Sequence, residues 1–313
     1  MKKSNNSWRV LTTMNQCIAV IGGDARYLEL IRQLQTLPHT TIILVGFDKI
    51  EQSFTGLKQM TLEELPVDEL DAVILPITGT NLHGKVETVF SDKEIYLSHD
   101  WFKKLKSSTR IFTGITNDYL NTETKSAKVS LISLLDRDDV AIYNSIPTAE
   151  GTIMMAMEHT DYTLHSSRIC VTGFGRVGHT VANKFSALGA KVSVSAESIK
   201  DLARITEMGL TAVPLANLHQ QAENFDILIN TIPAKVIEKS IIQQLPAHGI
   251  IIDLASKPGG TDFEYAKKRG IKAILAKSLP GIVAPKTAGK ILADVVKQFL
   301  ASETSYKSIE KGV

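Results

Sequence analysis

The chain has 313 residues, of which 43% are hydrophobic and 22% charged, and its formal net charge is +2. This composition excludes a disordered chain, and the lack of a concentrated basic stripe argues against a nucleic-acid partner. No apolar run is long enough to span a membrane, residues 1–15 lack the apolar core of a signal peptide, and the two cysteines have no metal-ligand spacing, so we expect a cytoplasmic protein without a metal site.

Short apolar runs alternate with segments of helical period, a pattern typical of parallel sheets covered by helices. The predicted strands cover residues 18–21, 42–45, 72–75, 111–112, 169–172, 192–195, 227–230 and 250–254. Both halves open with a strand, a glycine turn and a helix, at Gly22 and again at Gly173. We therefore predict an α/β fold with two Rossmann-like, doubly wound parallel-sheet domains and an interdomain cleft.

The predicted organisation follows from where these patterns change. It comprises a tail over 1–15, an N-terminal substrate domain over 16–145, an NAD(P)-binding Rossmann domain over 146–280, a C-terminal helix over 281–302 that returns to the first domain, and a tail over 303–313.

The segment joining the two domains contains Pro147, which is typical of a first helical turn, with Asn144 or Ser145 as the N-cap. A helix that begins here would offer free N–H groups to an anion near the cleft. The alternative interpretation is a helix that only joins the two domains, with methionine side chains that fill the hydrophobic core.

The glycine-rich turn after the strand 169–172 carries the most specific chemistry. In this interpretation Gly173 makes the tight turn, Gly175 lets the backbone approach a pyrophosphate, and Gly178 lets the helix pack closely on the strand. A strand before the turn, a helix after it and a second strand at the expected distance favour a dinucleotide site. The turn reads Gly173, Phe174, Gly175, Arg176, Val177 and Gly178.

The end of the next strand bears on the choice between NAD and NADP. The position where an acid would bind the NAD ribose is the neutral Ala196, but Glu197 follows where an arginine would favour the NADP phosphate. Ser195 and Ser198 remain candidate contacts for the NADP phosphate. The prediction is NADP, with NAD as the alternative.

Loops at the carboxyl ends of the other strands complete the predicted site. Asn230, Thr231, Ile232 and Pro233 are expected to flank the nicotinamide and its ribose. The expected substrate contacts are polar residues at strand ends or at the predicted helix start: Asp24, Arg26, Thr78, Gly79, Thr80, Asn144, Ser145, Thr148 and Lys257. Asp24 has the alternative role of a helix cap, with Arg26 as a surface charge. None of the eight histidines makes a convincing general acid or base, so the catalytic group stays unassigned.

Four longer segments are more specific than the glycine turn: 18–26, 143–148, 253–262 and 279–289. On these segments the chain, from about Cys17 onward, resembles the family formed by the A subunit of dipicolinate synthase. The resemblance implies NADP-dependent oxidation of dihydrodipicolinate to dipicolinate, the pyridine-2,6-dicarboxylate of spores, together with the flavoprotein-like B subunit of dipicolinate synthase. A homo-oligomer is also expected. The alternatives are a 2-hydroxy-acid or amino-acid dehydrogenase of similar architecture, or a nucleotide-binding scaffold for the flavoprotein partner.

Overall fold

The protein is described from a computed structural model covering residues 15–50, 57–256 and 259–310, with side chains described up to residue 301. The chain divides into two compact units, residues 1–136 with 292–313 and residues 137–291. The division falls between Asp136 and Arg137 and not between 145 and 146, because one uninterrupted helix, Asp138–His159, runs through the predicted boundary.

The first unit is built on a parallel sheet whose described strands follow the order β3-β2-β1-β4-β7-β8. This is the Rossmann order 3-2-1-4-5-6 when the strands of the sheet are numbered along the chain. A short antiparallel pair, β5 and β6, lies outside the sheet. In chain order the elements are β1 (Gln16–Ile21), α1 (Ala25–Leu34), β2 (Thr40–Val45), β3 (Lys58–Gln59), β4 (Ala72–Ile74), β5 (Lys85–Val86), β6 (Ile95–Tyr96), α2 (His99–Lys103), β7 (Arg110–Thr113), α3 (Asp118–Ala127) and β8 (Ser130–Ser133).

The second unit repeats this architecture, with its described strands in the order β11-β10-β9-β12-β13-β14. All neighbouring strands in this sheet pair in parallel. The predicted fold class of two Rossmann-like parallel-sheet units is therefore confirmed. The elements are α4 (Asp138–His159), β9 (Arg168–Thr172), α5 (Arg176–Ala187), β10 (Lys191–Ala196), α6 (Ile199–Glu207), β11 (Thr211–Pro214), α7 (Leu218–Gln221), β12 (Ile227–Asn230), α8 (Lys239–Ile242), β13 (Ile250–Asp253), α9 (Phe263–Arg269), β14 (Lys272–Leu275), α10 (Leu279–Val283) and α11 (Pro285–Glu310).

Alternate residues of each central strand face opposite sides of the second sheet. Ile169 and Val171 belong to one apolar cluster, whereas Cys170 between them belongs to another. Both faces are buried because helices cover both sides of a parallel sheet, which explains why these strands read as continuous apolar runs. Burial raises the pKa of the Cys170 thiol, so this cysteine serves as a small core side chain.

The carboxyl ends of the central strands meet at one edge of the second sheet. Asn230 at the end of β12 is in register with Thr172 at the end of β9 and with Asp253 at the end of β13. Because ligands of doubly wound sheets bind outside these ends, the residues that follow them are the candidates for the site.

Two helices form the C-terminal segment, where one was expected over 281–302. Ala284 separates α10 from α11, because the residue before Pro285 is restricted from helical geometry. From Leu292 onward α11 belongs to the first unit: the Phe299 carbonyl accepts a 2.5 Å hydrogen bond from Arg110 Nη1, and Lys297 Nζ lies 3.1 Å from Gln33 Oε1. The helix continues to Glu310, into the predicted tail.

Candidate functional site

Gly173 and Gly178 are glycines that the fold itself requires. Gly173 has a φ of 92°, which L side chains rarely adopt, and a Cβ there would lie 2.5 Å from Thr231 Oγ1. A Cβ on Gly178 would lie 2.1 Å from the Gly173 carbonyl oxygen. The close packing of α5 on the end of β9 therefore depends on both residues.

Gly175 differs from these two, because local packing leaves room for a side chain. Its φ is −76°, and among the described residues a Cβ would meet no heavy atom within 4 Å. The open space lies where a pyrophosphate would approach the backbone of a dinucleotide-binding turn. The packing of the described residues therefore does not by itself require glycine at this position.

The first turn of α5 is suited to an anion. Its N-cap is Gly175, so no side chain satisfies the first backbone N–H groups, and the first turn contains no acidic residue. Free N–H groups and the helix dipole together favour a phosphate at this position. Arg176 pairs with Asp138 at 3.0 Å, Phe174 lies beside His179, and Val177 is partly buried in the core.

The end of β10 lies directly beside the glycine turn, because the Gly173 amide donates a 2.8 Å hydrogen bond to the Ser195 carbonyl. The Ser195 and Ala196 side chains are buried. Glu197 and Ser198 are exposed, and the Ser198 hydroxyl caps α6 by accepting from the Asp201 amide. Of the candidate contacts on this segment, Glu197 is therefore the exposed side chain that makes no hydrogen bond or ion pair among the described residues.

Asn230 has a structural role at the end of β12. Its side chain is fully buried, accepts a 2.7 Å hydrogen bond from Thr172 Oγ1 and donates at 3.0 Å to Asp253 Oδ1. The Thr231 hydroxyl is also engaged, with the Thr172 carbonyl at 2.8 Å. Ile232 is half-buried and Pro233 is exposed, so these two are better placed to face a ligand than the polar pair before them.

Asp253 was not assigned a role from the sequence, yet it organises the loop that follows β13. Its buried carboxylate accepts hydrogen bonds from the amides of Ala255 at 2.9 Å and Gly260 at 3.0 Å, besides Asn230. An acidic residue directly after three buried isoleucines was the available sequence signal. The predicted substrate contact in this loop, Lys257, lies outside the described residues.

Asp253→Asn is expected to destabilise the second unit by about 1–3 kcal/mol, because an amide N–H2 would face a donor that the carboxylate now satisfies. Hydrogen exchange at the Ala255 and Gly260 amides should become faster, and the midpoint of thermal unfolding should fall. Asp262→Asn is the matched control: Asp262 caps α9, and asparagine is an equally good N-cap. Equal effects of the two substitutions would contradict this role for Asp253.

The glycine turn of the first unit has no free helix start, although the topology is the same. The carboxylate of Asp24 caps α1 by accepting from the Arg26 amide at 3.0 Å, and it also pairs with the Arg26 guanidinium at 2.5 Å. Arg26 is only 6% exposed, so it is not the surface charge of the alternative interpretation. The protein's own carboxylate thus caps a helix start that is left uncapped in the second unit.

The predicted contacts after β4 are also engaged within the first unit. The Thr78 hydroxyl lies 3.3 Å from Glu87 Oε2, and Gly79 adopts a φ of 65° in a turn. Thr80 is 4% exposed, and its buried Oγ1 has no hydrogen-bond partner among the described residues. None of the three presents a free donor at the surface in this conformation.

The predicted helix start at Asn144 to Thr148 is wrong. These residues lie inside α4, which begins at Asp138 and contains Pro147 in its interior. Ser145 Oγ bonds back to the Ile142 carbonyl at 2.6 Å and contacts Thr180 Oγ1 at 2.7 Å, while Thr148 Oγ1 bonds to the Asn144 carbonyl at 2.8 Å. These hydroxyls satisfy carbonyls around a proline that supplies no N–H, so they are not an anion site.

Metal ligation and membrane insertion find no support in the described part of the chain. No group of three or more His, Cys, Asp or Glu side chains there is arranged to hold a metal ion. No helix among the same described residues is long and apolar enough to cross a bilayer.

A 3-2-1-4-5-6 parallel sheet, an uncapped helix start and an open glycine turn together define a protein with the Rossmann dinucleotide-binding fold. Residues 137–256 match the family model of the D-isomer specific 2-hydroxyacid dehydrogenase NAD-binding domain, and residues 17–135 match that of the N-terminal domain of the dipicolinate synthase A subunit. The chain belongs to the family of dipicolinate synthase A subunits.

Similarity to members of this family extends over almost the whole chain. The dipicolinate synthase A subunit of Bacillus subtilis (strain 168) is 51% identical over 284 residues, which cover 91% of this chain and 95% of the relative. The crystal structure of the Bacillus halodurans protein is 51% identical, with a TM-score of 0.89 over 92% of this chain and 98% of that one. The crystal structure of the Bacillus subtilis A chain is 49% identical, with a TM-score of 0.88 over 94% of this chain and 98% of that one.

Proposed function

We propose that this chain oxidises a dihydrodipicolinate to dipicolinate with a nicotinamide dinucleotide during sporulation, working with the flavoprotein-like B subunit of dipicolinate synthase. The observation that carries the proposal is the open space at Gly175 before the uncapped start of α5. The names of the relatives supply the product class. A homo-oligomer remains a prediction.

The residues of the second unit are by themselves suited to hold a dinucleotide. Free N–H groups at the start of α5 would hold the pyrophosphate, and Ile232 and Pro233 would border the nicotinamide. The dinucleotide, once held there, would supply the hydride acceptor. Loss of a hydride and a proton makes the substrate ring aromatic, which supplies much of the driving force, so the protein's main task is to position a flat dicarboxylate.

The predicted preference for NADP is not part of this proposal. It depended on the neutral Ala196 and on the family resemblance, but the Ala196 side chain is buried and the exposed residue at this strand end is Glu197. The substrate contacts also change, because Asp24 pairs with Arg26 and Thr78 with Glu87 inside the first unit. Lys257 stays a predicted carboxylate contact.

A 2-hydroxy-acid dehydrogenase is the second candidate, since the family model matching residues 137–256 carries that name. This chemistry uses a histidine general acid or base held by a carboxylate. In the second unit His248 lies 3.1 Å from Asp226, but these residues precede β13 and β12. The pair therefore lies at the amino ends of the strands, whereas the glycine turn lies at their carboxyl ends. This position counts against a 2-hydroxy-acid dehydrogenase.

The test supplies the purified chain with freshly generated dihydrodipicolinate and either NAD or NADP, with and without the B subunit. We expect equal amounts of reduced cofactor, measured by absorbance, and of dipicolinate, measured by chromatography. Turnover of 2-hydroxy acids without dipicolinate formation would support the second candidate. Cofactor binding without turnover of either substrate, even when the B subunit is present, would indicate a scaffold and contradict the proposal.

A further inference from the structure

The residues after β10 decide which charge a dinucleotide meets at its adenosine ribose. In a Rossmann sheet this ribose lies at the carboxyl end of the second strand, which here is β10. The hydrogen bond from the Gly173 amide to the Ser195 carbonyl joins this end directly to the pyrophosphate turn. A side chain exposed just beyond Ser195 would thus lie beside the ribose that follows the pyrophosphate.

Burial leaves Glu197 as the acidic side chain at this position. Ser195 is 0% and Ala196 is 3% exposed, so neither offers its side chain to a ribose. Glu197 is exposed and has no hydrogen bond or ion pair among the described residues, so its carboxylate is free to accept from ribose hydroxyls. An acid at a strand end of this kind is what NAD-binding sheets use for the ribose 2′-hydroxyl.

The neighbouring charges do not compensate for this carboxylate. Lys200 is an exposed cation nearby, but Asp201 lies in the same first turn of α6, so Glu197, Lys200 and Asp201 together carry a net negative charge. The Arg204 guanidinium is paired with Glu207 at 2.8 Å. The Ser198 hydroxyl accepts the capping hydrogen bond from Asp201. A 2′-phosphate would therefore meet a carboxylate without a dedicated arginine.

We infer that Glu197 makes this chain select NAD over NADP. The inference rests on the proposed function, since it requires that a dinucleotide binds at the glycine turn, and it reverses the preference predicted from the sequence. A carboxylate about 5 Å from a phosphate of nearly two charges in a solvated site corresponds to about a tenfold difference in affinity.

The experiment measures binding and not turnover. NADH and NADPH are titrated into the full chain by nicotinamide fluorescence, and ADP-ribose and its 2′-phosphate are titrated by calorimetry to exclude any effect of the nicotinamide. We expect the unmodified protein to bind NADH and ADP-ribose at least about tenfold more tightly than the phosphorylated forms.

Three variants separate the charge of Glu197 from its shape. Glu197→Gln should raise the affinity for NADPH about tenfold while changing that for NADH only severalfold, and Glu197→Arg should reverse the preference. Glu223→Gln is the matched control, since Glu223 is exposed in the turn before β12, at the amino ends of the strands and away from the glycine turn. This substitution should change neither affinity.

The outcomes distinguish this inference from the function on which it depends. Equal or tighter binding of NADPH by the unmodified protein overturns the inference alone, as does an unchanged affinity ratio in Glu197→Gln. If the folded protein binds none of the four ligands, the proposed function fails and the inference fails with it.

Discussion

Asp24→Ala is expected to destabilise the first unit by about 3–5 kcal/mol, because it leaves the guanidinium of Arg26 buried without its counter-charge. Arg26 is 6% exposed, and its Nε and Nη2 groups both donate to the Asp24 carboxylate. The same substitution removes the N-cap of α1. Breaking a buried pair costs more than the pair contributes, since the remaining charge is desolvated.

Tryptophan fluorescence during urea unfolding measures this effect, because both tryptophans, Trp8 and Trp101, precede residue 137 and residues 137–291 contain none. Asp92→Ala is the matched control, since it removes one partner of the exposed pair with Lys49 in the same unit and should change stability by less than about 1 kcal/mol. The double variant Asp24→Ala/Arg26→Met should recover much of the loss, because no charge is then buried.

The double variant also tests the predicted substrate role of these two residues. If they serve only the fold, a folded Asp24→Ala/Arg26→Met protein should bind dipicolinate with unchanged affinity in calorimetry. Loss of dipicolinate binding with an intact unfolding transition would return Arg26 to the substrate site. A small loss of stability in Asp24→Ala would show that the guanidinium reaches solvent without its partner.

Gly175→Val is expected to weaken dinucleotide binding by roughly 100-fold or more, about 2.7 kcal/mol, while the protein stays folded. The physical reason is that the added side chain fits the protein but fills the space that the pyrophosphate needs. At Gly178 the expectation is the opposite: a Cβ 2.1 Å from the Gly173 carbonyl oxygen disturbs the fold itself.

The measurements for these variants are the midpoint of thermal unfolding and the affinity for NADH. Ala187→Val adds two methyl groups at the exposed end of α5 and should leave both nearly unchanged. Unchanged NADH affinity in a folded Gly175→Val protein would place the dinucleotide elsewhere. A large loss of stability in Gly175→Val would show that the fold, and not a ligand, requires this glycine.

The central strands were found from the sequence, whereas the edge strands were not. β9, β12 and β13 are buried on both faces, so they read as apolar runs such as Ile227 to Ile229. The edge strands β3, β8, β11 and β14 cover Lys58–Gln59, Ser130–Ser133, Thr211–Pro214 and Lys272–Leu275, which are partly exposed. Their sequences lack a continuous apolar run because, among the described strands, each has a neighbour on one side only.

The helix through Pro147 shows where a local rule was overridden. Proline is typical of a first turn because it lacks an N–H, and Ser145 before it looks like a cap. In α4 the buried positions Pro147, Ala149 and Thr152 pack within the second unit, and the side-chain hydroxyls bond back to helix carbonyls. Tertiary packing thus extended the helix back to Asp138, where the acidic pair Asp138 and Asp139 in the first turn was the available sequence signal.

By itself the sequence determined the Rossmann architecture and the position of the glycine turn, because apolar runs, helical periods and the glycines of a tight turn are patterns of residues close together in the chain. Only the tertiary structure decided which polar side chains are free. Asp24 and Arg26 neutralise each other, and Asn230 and Asp253 satisfy loop amides brought together by strand pairing. Glu197 is exposed whereas Ser195 and Ala196 before it are buried, and that burial depends on contacts between distant parts of the chain.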